Sequence, residues 1–560
     1  MDSKNVLIAI VLSTLVLITW STFFEPPATK NIINENTTNQ KQQSDSPSVE
    51  VEESVNNKVT RDEAINNVNR IKVENQNIQG SISLQGGIID DIIFKNYKEK
   101  LNSENKVAFL NPKNSFKEYF IETGWAISGN QEVSLPLDNT IWKVKGNTTL
   151  RPNNPVLIEW NNNEGLIFTK KIELDEKFLF KITQEIKNTS NNSFQFYPYA
   201  QITKKGKPEG RQIYILHEGF LGVFGEELKE VDYDDIEKEK FTITASKGWL
   251  GITDKYWLTA LVPEKEKEFK AEFLSKDGKF KANYIIKEAK ILNPNNSISN
   301  EIKAFVAAKE VAVIDGYAEQ LKIEKFDLAI DWGWFYFFTK PLFFIIDYFF
   351  KLTGNFGLAI VIITALIRLI FFPLANYSFK SMAKMKMLQP EMVRLKELHK
   401  DDKVKLQQEM MGLYKREKVN PVSGCLPVLI QIPFFFAIYK MLYVTLEMRH
   451  QPFFGWIKDL SDRDPTSIFN LFGLIPWDPP TFLMIGAWPI LMGISMYIQQ
   501  KLNPTPPDPI QAKIFMFFPI VLTIILAPFP SGLVVYWTVN NILTITQQWI
   551  IMRSTKVKTI

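Results

Sequence analysis

Apolar positions along this chain are clustered, and their spacing changes character from one region to the next. Val6 to Phe24 form one continuous, bulky apolar run. Residues 26–69 carry Asn, Gln, Ser, Thr, Glu and Lys with almost no aromatic side chains. From about Arg70 to Ile323, short segments alternate polar and apolar positions, as in Ser81-Ile-Ser-Leu, Lys181-Ile-Thr-Gln-Glu-Ile and Phe241-Thr-Ile-Thr. Clusters of Asn, Gly and Pro separate them. Beyond Trp332 the apolar residues gather into long runs.

Each texture predicts a kind of element. The first run is preceded by Lys4 and passes through Trp20, Phe23 and Phe24 into Glu25-Pro26-Pro27 without an A-x-A-like cleavage site. It predicts an uncleaved transmembrane signal anchor over residues 1–25. Residues 26–69 cannot bury enough apolar surface to offset ordering entropy and predict a disordered linker. Period-two alternation with frequent turn residues predicts a twisted antiparallel β-sandwich over residues 70–330. No acid pair, nucleophile set or Gly-rich loop stands out there, so a folded scaffold or docking domain is expected. Residues 331–356 begin with a dense aromatic run and are interrupted by Lys340, Pro341, Asp347 and Lys351. That composition suits an amphipathic helix lying in the membrane interface. Membrane-spanning helices are predicted at 357–375, 424–444, 481–500, 513–528 and 532–552. The first is about 27 Å long at 1.5 Å per residue, enough for a somewhat thin hydrocarbon core. With the anchor they make six spans.

Composition changes this picture little, and charge orients it. A hydrophobic content of 45% with a mean hydropathy of −0.09 resembles a soluble protein, but only because the runs are averaged with the polar domain. The net charge of +4 is too small to imply nucleic-acid binding. The segment 376–423 holds eleven Lys/Arg against six Asp/Glu, whereas 445–480 is acidic, with Asp459, Asp462, Asp464 and Asp478. The tail 553–560 carries Arg553, Lys556 and Lys558. By the positive-inside rule the basic loop, the tail and Lys4 face the cytoplasm, which puts the β domain outside and both termini inside.

Candidate chemistry is sparse. The single cysteine, Cys425, excludes an intramolecular disulfide, and three scattered histidines argue against zinc. There is no phosphate-binding loop and no H-E-x-x-H. No cofactor, metal or enzymatic reaction is implied. One charge stands out: Arg368, inside Ile360-Val-Ile-Ile-Thr-Ala-Leu-Ile-Arg-Leu-Ile-Phe-Phe. A central arginine costs about 2.5–3.5 kcal/mol on insertion scales. The side chain could snorkel to the headgroups; alternatively it faces a water-containing groove, with Thr364 one turn earlier on the same face. Gln431, Asn540, Tyr536 and Trp537 supply polar groups from other spans. Each alone could be interhelical glue; together with Arg368 they favour a hydrated groove. The basic loop 376–423 reads as an amphipathic helical hairpin with a break at Pro390. Met382, Met385, Met392 and Met410 lie on its apolar positions, where they either hold the hairpin together or offer an adaptable contact surface for partners.

Several stretches resemble the YidC/Oxa/Alb family of membrane protein insertases, in its Gram-negative form. They are Met387-Leu-Gln-Pro, Glu409-Met-Met-Gly-Leu-Tyr, Lys418-Val-Asn-Pro, Gly424-Cys-Leu-Pro, Gln431-Ile-Pro-Phe-Phe, Phe529-Pro-Ser-Gly-Leu-Val and Gln547-Gln, in family order between about Trp334 and Met552. The resemblance implies a periplasmic β-supersandwich and a five-helix core in the inner membrane, with an N-terminal anchor. It implies a groove holding one arginine, matched by Arg368, with Thr364 beside it. Family members often carry paired tyrosines where this chain has Tyr536-Trp537. The implied partners are nascent membrane proteins, the Sec translocon, the ribosome and signal-recognition-particle components, and the lipid bilayer.

The expected function is therefore ATP-independent insertion and chaperoning of membrane proteins. A solute transporter or channel would also hold a membrane charge, but usually shows inverted repeats, which are not found here. A non-catalytic assembly factor acting through the external domain would not need Arg368.

Overall fold

A computed structural model describes residues 59–127, 133–208, 216–333, 335–400, 402–419, 426–477, 479–480, 483–503 and 509–557. The expected signal anchor, most of the expected linker and Cys425 lie outside the described residues.

The alternating segments become strands whose inward positions are buried. In Leu179–Asn188, Phe180, Ile182, Gln184, Ile186 and Asn188 face inward while their neighbours are more exposed. Such strands assemble into an eleven-stranded and a nine-stranded sheet, almost wholly antiparallel. The exception is the parallel pairing of Lys72 with Thr149 at one edge. Aromatic rings fill the interior, with Phe94 stacked on Phe109 at 5.1 Å and on Trp257 at 4.9 Å. Strands run from Arg70 to Ala308.

One segment of the expected linker is ordered. Helix α1 (Arg61–Asn66) starts at a capping box: Thr60 accepts from the Glu63 amide while the Glu63 carboxylate accepts from the Thr60 amide. Arg61 then pairs with Asp91. The T-x-x-E spacing is in the sequence, but the polar composition around it hid it. A second short helix, α2 (Tyr233–Ile236), lies between strands.

After the last strand, α3 (Val311–Gln320) and a turn at Phe326–Ala329 lead into the helical part. Helix α4 (Tyr336–Thr353) ends at Gly354, whose φ of 69° lets the chain reverse into the next helix. Asn355 caps α5 (Phe356–Ile370) by accepting from the Leu358 amide at 2.9 Å. Where sequence periodicity suggests one span over 357–375, α5 stops at Ile370. The chain then bends by 68° into α6 (Phe372–Met387). Pro373 is the physical reason: without an N–H it cannot bond the Leu369 carbonyl four residues back, and its ring would clash with that carbonyl, so α5 cannot continue through it, whereas a proline is tolerated in the first turn of α6.

The basic segment after α6 adds α7 (Gln389–Leu398) and α8 (Lys403–Arg416), with the break at Leu388 just before Pro390. Then come α9 (Leu426–Val444), α10 (Ala487–Leu502), α11 (Pro509–Leu526) and α12 (Ser531–Val557). Helix α10 starts six residues later than the pattern at 481–500 suggests. Asp464 fixes its start: its carboxylate accepts from the Trp488 amide at 2.9 Å, at the positive end of the helix. Among the described residues no single helix is both long and apolar enough to cross a membrane by itself. The bent α5–α6 pair meets that test jointly, and Gln431–Val444 and Ala512–Leu526 are shorter apolar helices.

The hydrophobic core is continuous from the sandwich through Phe326 and Trp332 into α4, α5 and α9. Polar ties cross the same junction. Arg449 donates to the Lys98 and Glu99 carbonyls at 2.7 and 3.0 Å, with its guanidinium 5.6 Å from the Tyr256 and Trp257 rings. Lys440 meets Asp331 at 2.6 Å. Glu447 accepts from the Val311 amide at 2.7 Å, and burial pushes its carboxyl up to about 7.

Candidate functional site

Arg368 occupies the last turn of α5, two residues before the helix ends. A cation there is stabilised by the partial negative charge of the terminal carbonyls. Beside the guanidinium, at the bend between α5 and α6, lies a small recess open at its mouth. Arg368, Thr364, Gln431, Tyr536 and Asn540 all line it, so three helices far apart in sequence converge on one charge. Apolar side chains, Ile367, Phe371, Leu374, Ala375 and Phe434, form the rest of the wall. The sequence does not single these five out. Their apolar character gives no local signal that separates them from lipid-facing neighbours.

The contacts are specific. Arg368 Nε donates to Asn540 Oδ1 at 2.9 Å, and Nη2 donates to the same oxygen at 2.6 Å. Nη2 also donates to Gln431 Oε1 at 3.0 Å. Both acceptors are neutral. Among the described residues no carboxylate pairs with Arg368, so its hydrogen bonds are met while its charge is not cancelled. Buried guanidinium groups are normally matched by anions, which makes this pairing informative.

The other expected site residues divide. Thr364 is buried and donates its hydroxyl to the Ile360 carbonyl at 2.6 Å, so its methyl and oxygen line the recess without bonding Arg368. Tyr536 is 3% exposed and lies on the recess wall. Trp537, by contrast, is absent from the lining: its ring packs edge-on against Phe435 at 4.8 Å. Consecutive helical residues point about 100° apart, so Tyr536 and Trp537 cannot share one face. Asn541 likewise turns away from Arg368 and donates to Ser495 at 3.0 Å, joining α12 to α10.

In the hairpin, Met382 packs with Ala375, Phe379 and Ile551 and is 8% exposed; Met392 is 6% exposed and touches the Tyr414 hydroxyl. Both serve internal packing in this conformation, and neither is available to a partner. Met385 and Met410 are half-buried. The methionines that reach the surface are Met387 and Met411, at 46% and 48% exposure. The segment 445–480 is also less polar than its acidic residues suggest: Phe469, Leu471, Phe472, Leu474 and Trp477 are exposed.

Sequence comparison places these features in a family. Residues 348–558 match the family described as 60Kd inner membrane protein, and residues 70–345 match the YidC periplasmic domain. The membrane protein insertase YidC of Pelagibacter ubique (strain HTCC1062) is 58% identical over the whole of both chains. That of Methylorubrum extorquens (strain PA1) is 44% identical, covering 100% of this chain and 96% of the relative. A solved structure of an active YidC insertase aligns with 85% of this chain and 91% of its own, at 17% identity and a TM-score of 0.35. With both family regions present in order and full-length relatives above 40% identity, this chain belongs to the YidC family of membrane protein insertases, carrying both the inner-membrane part and the periplasmic domain.

Proposed function

We propose that this chain inserts nascent membrane proteins by offering the recess at Arg368 to the polar flank of an incoming hydrophobic segment. One observation carries the reading: the guanidinium is held by the neutral acceptors Asn540 and Gln431, which leaves a full positive charge at an open recess. An acidic residue in the flank is attracted to that charge. The apolar segment meanwhile slides along the outer wall and enters lipid, and burial of its own apolar surface drives the process. No nucleotide is consumed.

In this reading α5–α6, α9, α10, α11 and α12 are the membrane core and α4 lies in the interface. An N-terminal anchor completes six spans, with both termini in the cytoplasm. Support comes from the positive-inside asymmetry and from the exposed apolar faces of α4 and α11, such as Phe344, Leu352, Phe517 and Ile524. The basic hairpin α7–α8 suits contact with ribosomal RNA or signal-recognition components, and the membrane core suits docking beside the Sec translocon.

The test is reconstitution into liposomes with a single-span substrate in two forms, one with Asp and one with Asn in the translocated flank. Wild type inserts both, the Asp form faster. Arg368→Ala slows the Asp form about tenfold, equivalent to about 1.4 kcal/mol, and the Asn form little. If Arg368→Ala handled the two forms as wild type does, the attraction to Arg368 would be wrong. If wild type inserted neither, the insertase reading itself would fail.

A further inference from the structure

Between α9 and α10 the chain forms a loop whose two ends are tied together. Ser467 donates its hydroxyl to the Leu483 carbonyl at 2.9 Å, and the Ile468 amide donates to the Ile485 carbonyl at 3.1 Å. This stem is bonded to the starts of two helices. Thr466 and Asp464 accept from the Ala487 and Trp488 amides of α10, each at 2.9 Å. The Ser531 and Gly532 amides of α12 donate to the Asp462 and Leu460 carbonyls at 2.7 and 3.0 Å. The loop therefore departs from the level at which α10 and α12 begin.

Its tip is apolar and displayed rather than packed. Residues 468–477 carry no charged side chain, and seven of the ten are Ile, Leu, Phe or Trp. Leu474 is 84% exposed, and Phe469, Leu471, Phe472, Ile475 and Trp477 are exposed with it. Leu471 and Phe472 take φ values of 50° and 57°, a left-handed conformation that is costly for residues with a Cβ. A strained backbone that holds apolar side chains outward needs a compensating contact from whatever covers them.

Two observations select a lipid surface as that cover. The backbone of the tip is closed on itself. The Phe472, Leu474, Ile475 and Trp477 amides donate to the Ser467, Leu471, Asn470 and Ile475 carbonyls at 2.7, 3.3, 3.0 and 2.8 Å, and the Asn470 side chain donates to the Trp477 carbonyl at 3.3 Å. Hydrocarbon accepts backbone only when its polar groups are satisfied internally, whereas a partner pairing as an added strand needs them free. The apolar surface also continues into α10, where Leu491, Ile494 and Ile498 are exposed at helical spacing. A bilayer covers a helix face and the loop at its end together, and an exposed tryptophan such as Trp477 suits the headgroup boundary.

We propose that residues 468–477 dip into the outer leaflet of the bilayer beside α10. The proposal rests on the reading of α10 and α12 as spans that begin on the outer side. Because the stem is bonded to both helices, the inserted tip sets the depth at which they start. Asn540, which holds Arg368, lies on α12, so the tip also sets the depth of the recess.

The test measures that depth in the full chain. Cys425→Ser removes the single cysteine, and Phe472→Cys or Leu474→Cys then carries a nitroxide label in nanodiscs of phosphatidylcholine and phosphatidylglycerol. Collision with oxygen, which concentrates in hydrocarbon, is compared with collision with a water-soluble nickel chelate. Lys458→Cys, at an exposed position, is the aqueous reference, and Ile494→Cys reports on α10. The oxygen-to-nickel ratio at 472 and 474 is expected severalfold above that at 458 and below that at 494. Nickel collision as free as at 458 would overturn the proposal. So would weak collision with both reagents, which marks burial against a protein partner. In either case a lipid-exposed label at 494 leaves the span reading of α10 standing. An aqueous label at 494 would refute that reading, and the proposal with it.

Discussion

Arg368 is tolerable where it stands because its N–H groups are bonded, and useful because its charge is not neutralised. The two properties separate in a single substitution. Asn540→Asp keeps an acceptor at 2.6–2.9 Å from Nε and Nη2 but adds the missing anion. We expect unchanged or raised thermal stability together with a severalfold loss of insertion of acidic-flanked substrates; a variant as active as wild type would show that net charge in the recess is irrelevant. Glu447 tests a second residue-level balance, at the junction between the two parts. Its carboxyl titrates at about 7 in the fold against 4.5 as a free group, because burial disfavours the charged form. The folded protein therefore holds more protons than the unfolded chain between those values, so stability falls as pH rises from about 4.5 to about 7 and stays lower above it. The melting temperature of Glu447→Gln should lose this component of the slope and exceed wild type at pH 8. The sequence showed that Arg368 was anomalous and named its neighbours; it could not show that Asn540, rather than Asn541, takes the guanidinium.

At the scale of elements, one proline, Pro373, decides where a helix stops, although Pro341, Pro433 and Pro519 sit inside helices that continue past them. Hydropathy alone reads residues 357–375 as one span, since Phe371 and Phe372 are as apolar as what precedes them. The backbone at Pro373 overrides that pattern, and the 68° bend puts Arg368 in a terminal turn. In Pro373→Ala we expect α5 to extend and the bend to open, lengthening the distance between spin labels at Leu366 and Tyr377 by several ångströms. An unchanged distance would mean that packing against α9 and α12 holds the bend without the proline. The hairpin shows the opposite lesson. Its methionine periodicity correctly marks an apolar stripe, but a stripe has an inner and an outer edge: Met382 and Met392 lie inside, Met387 and Met411 outside. Only the packing of α7 on α8 and of α6 on α12 separates them.

For the molecule as a whole, the sandwich and the helical part share one core and several ties across their junction. Arg449 is one of these, with two carbonyl acceptors and two aromatic faces. Arg449→Ala should cost about 2 kcal/mol, from two charge-assisted bonds and a cation–π contact. The loss should appear as faster amide exchange in residues 97–100 and 446–452 with the sandwich interior unchanged. Uniformly faster exchange would mean that the two parts unfold together rather than merely uncouple.

The sequence by itself determined the division into an alternating β region and an apolar helical region, the segments in which positive charge gathers, and the energetic oddity of Arg368. These depend on local period and composition, which a chain carries wherever it folds. The tertiary structure alone decided that α5 ends at Ile370, that Tyr536 faces the recess while Trp537 does not, and that Asn540 reaches back 172 residues to bond Arg368. It alone set Gln184 opposite Lys170 in the sandwich interior. Such pairings are set by strand register, helix rotation and packing between distant segments, and no local pattern in the chain encodes them.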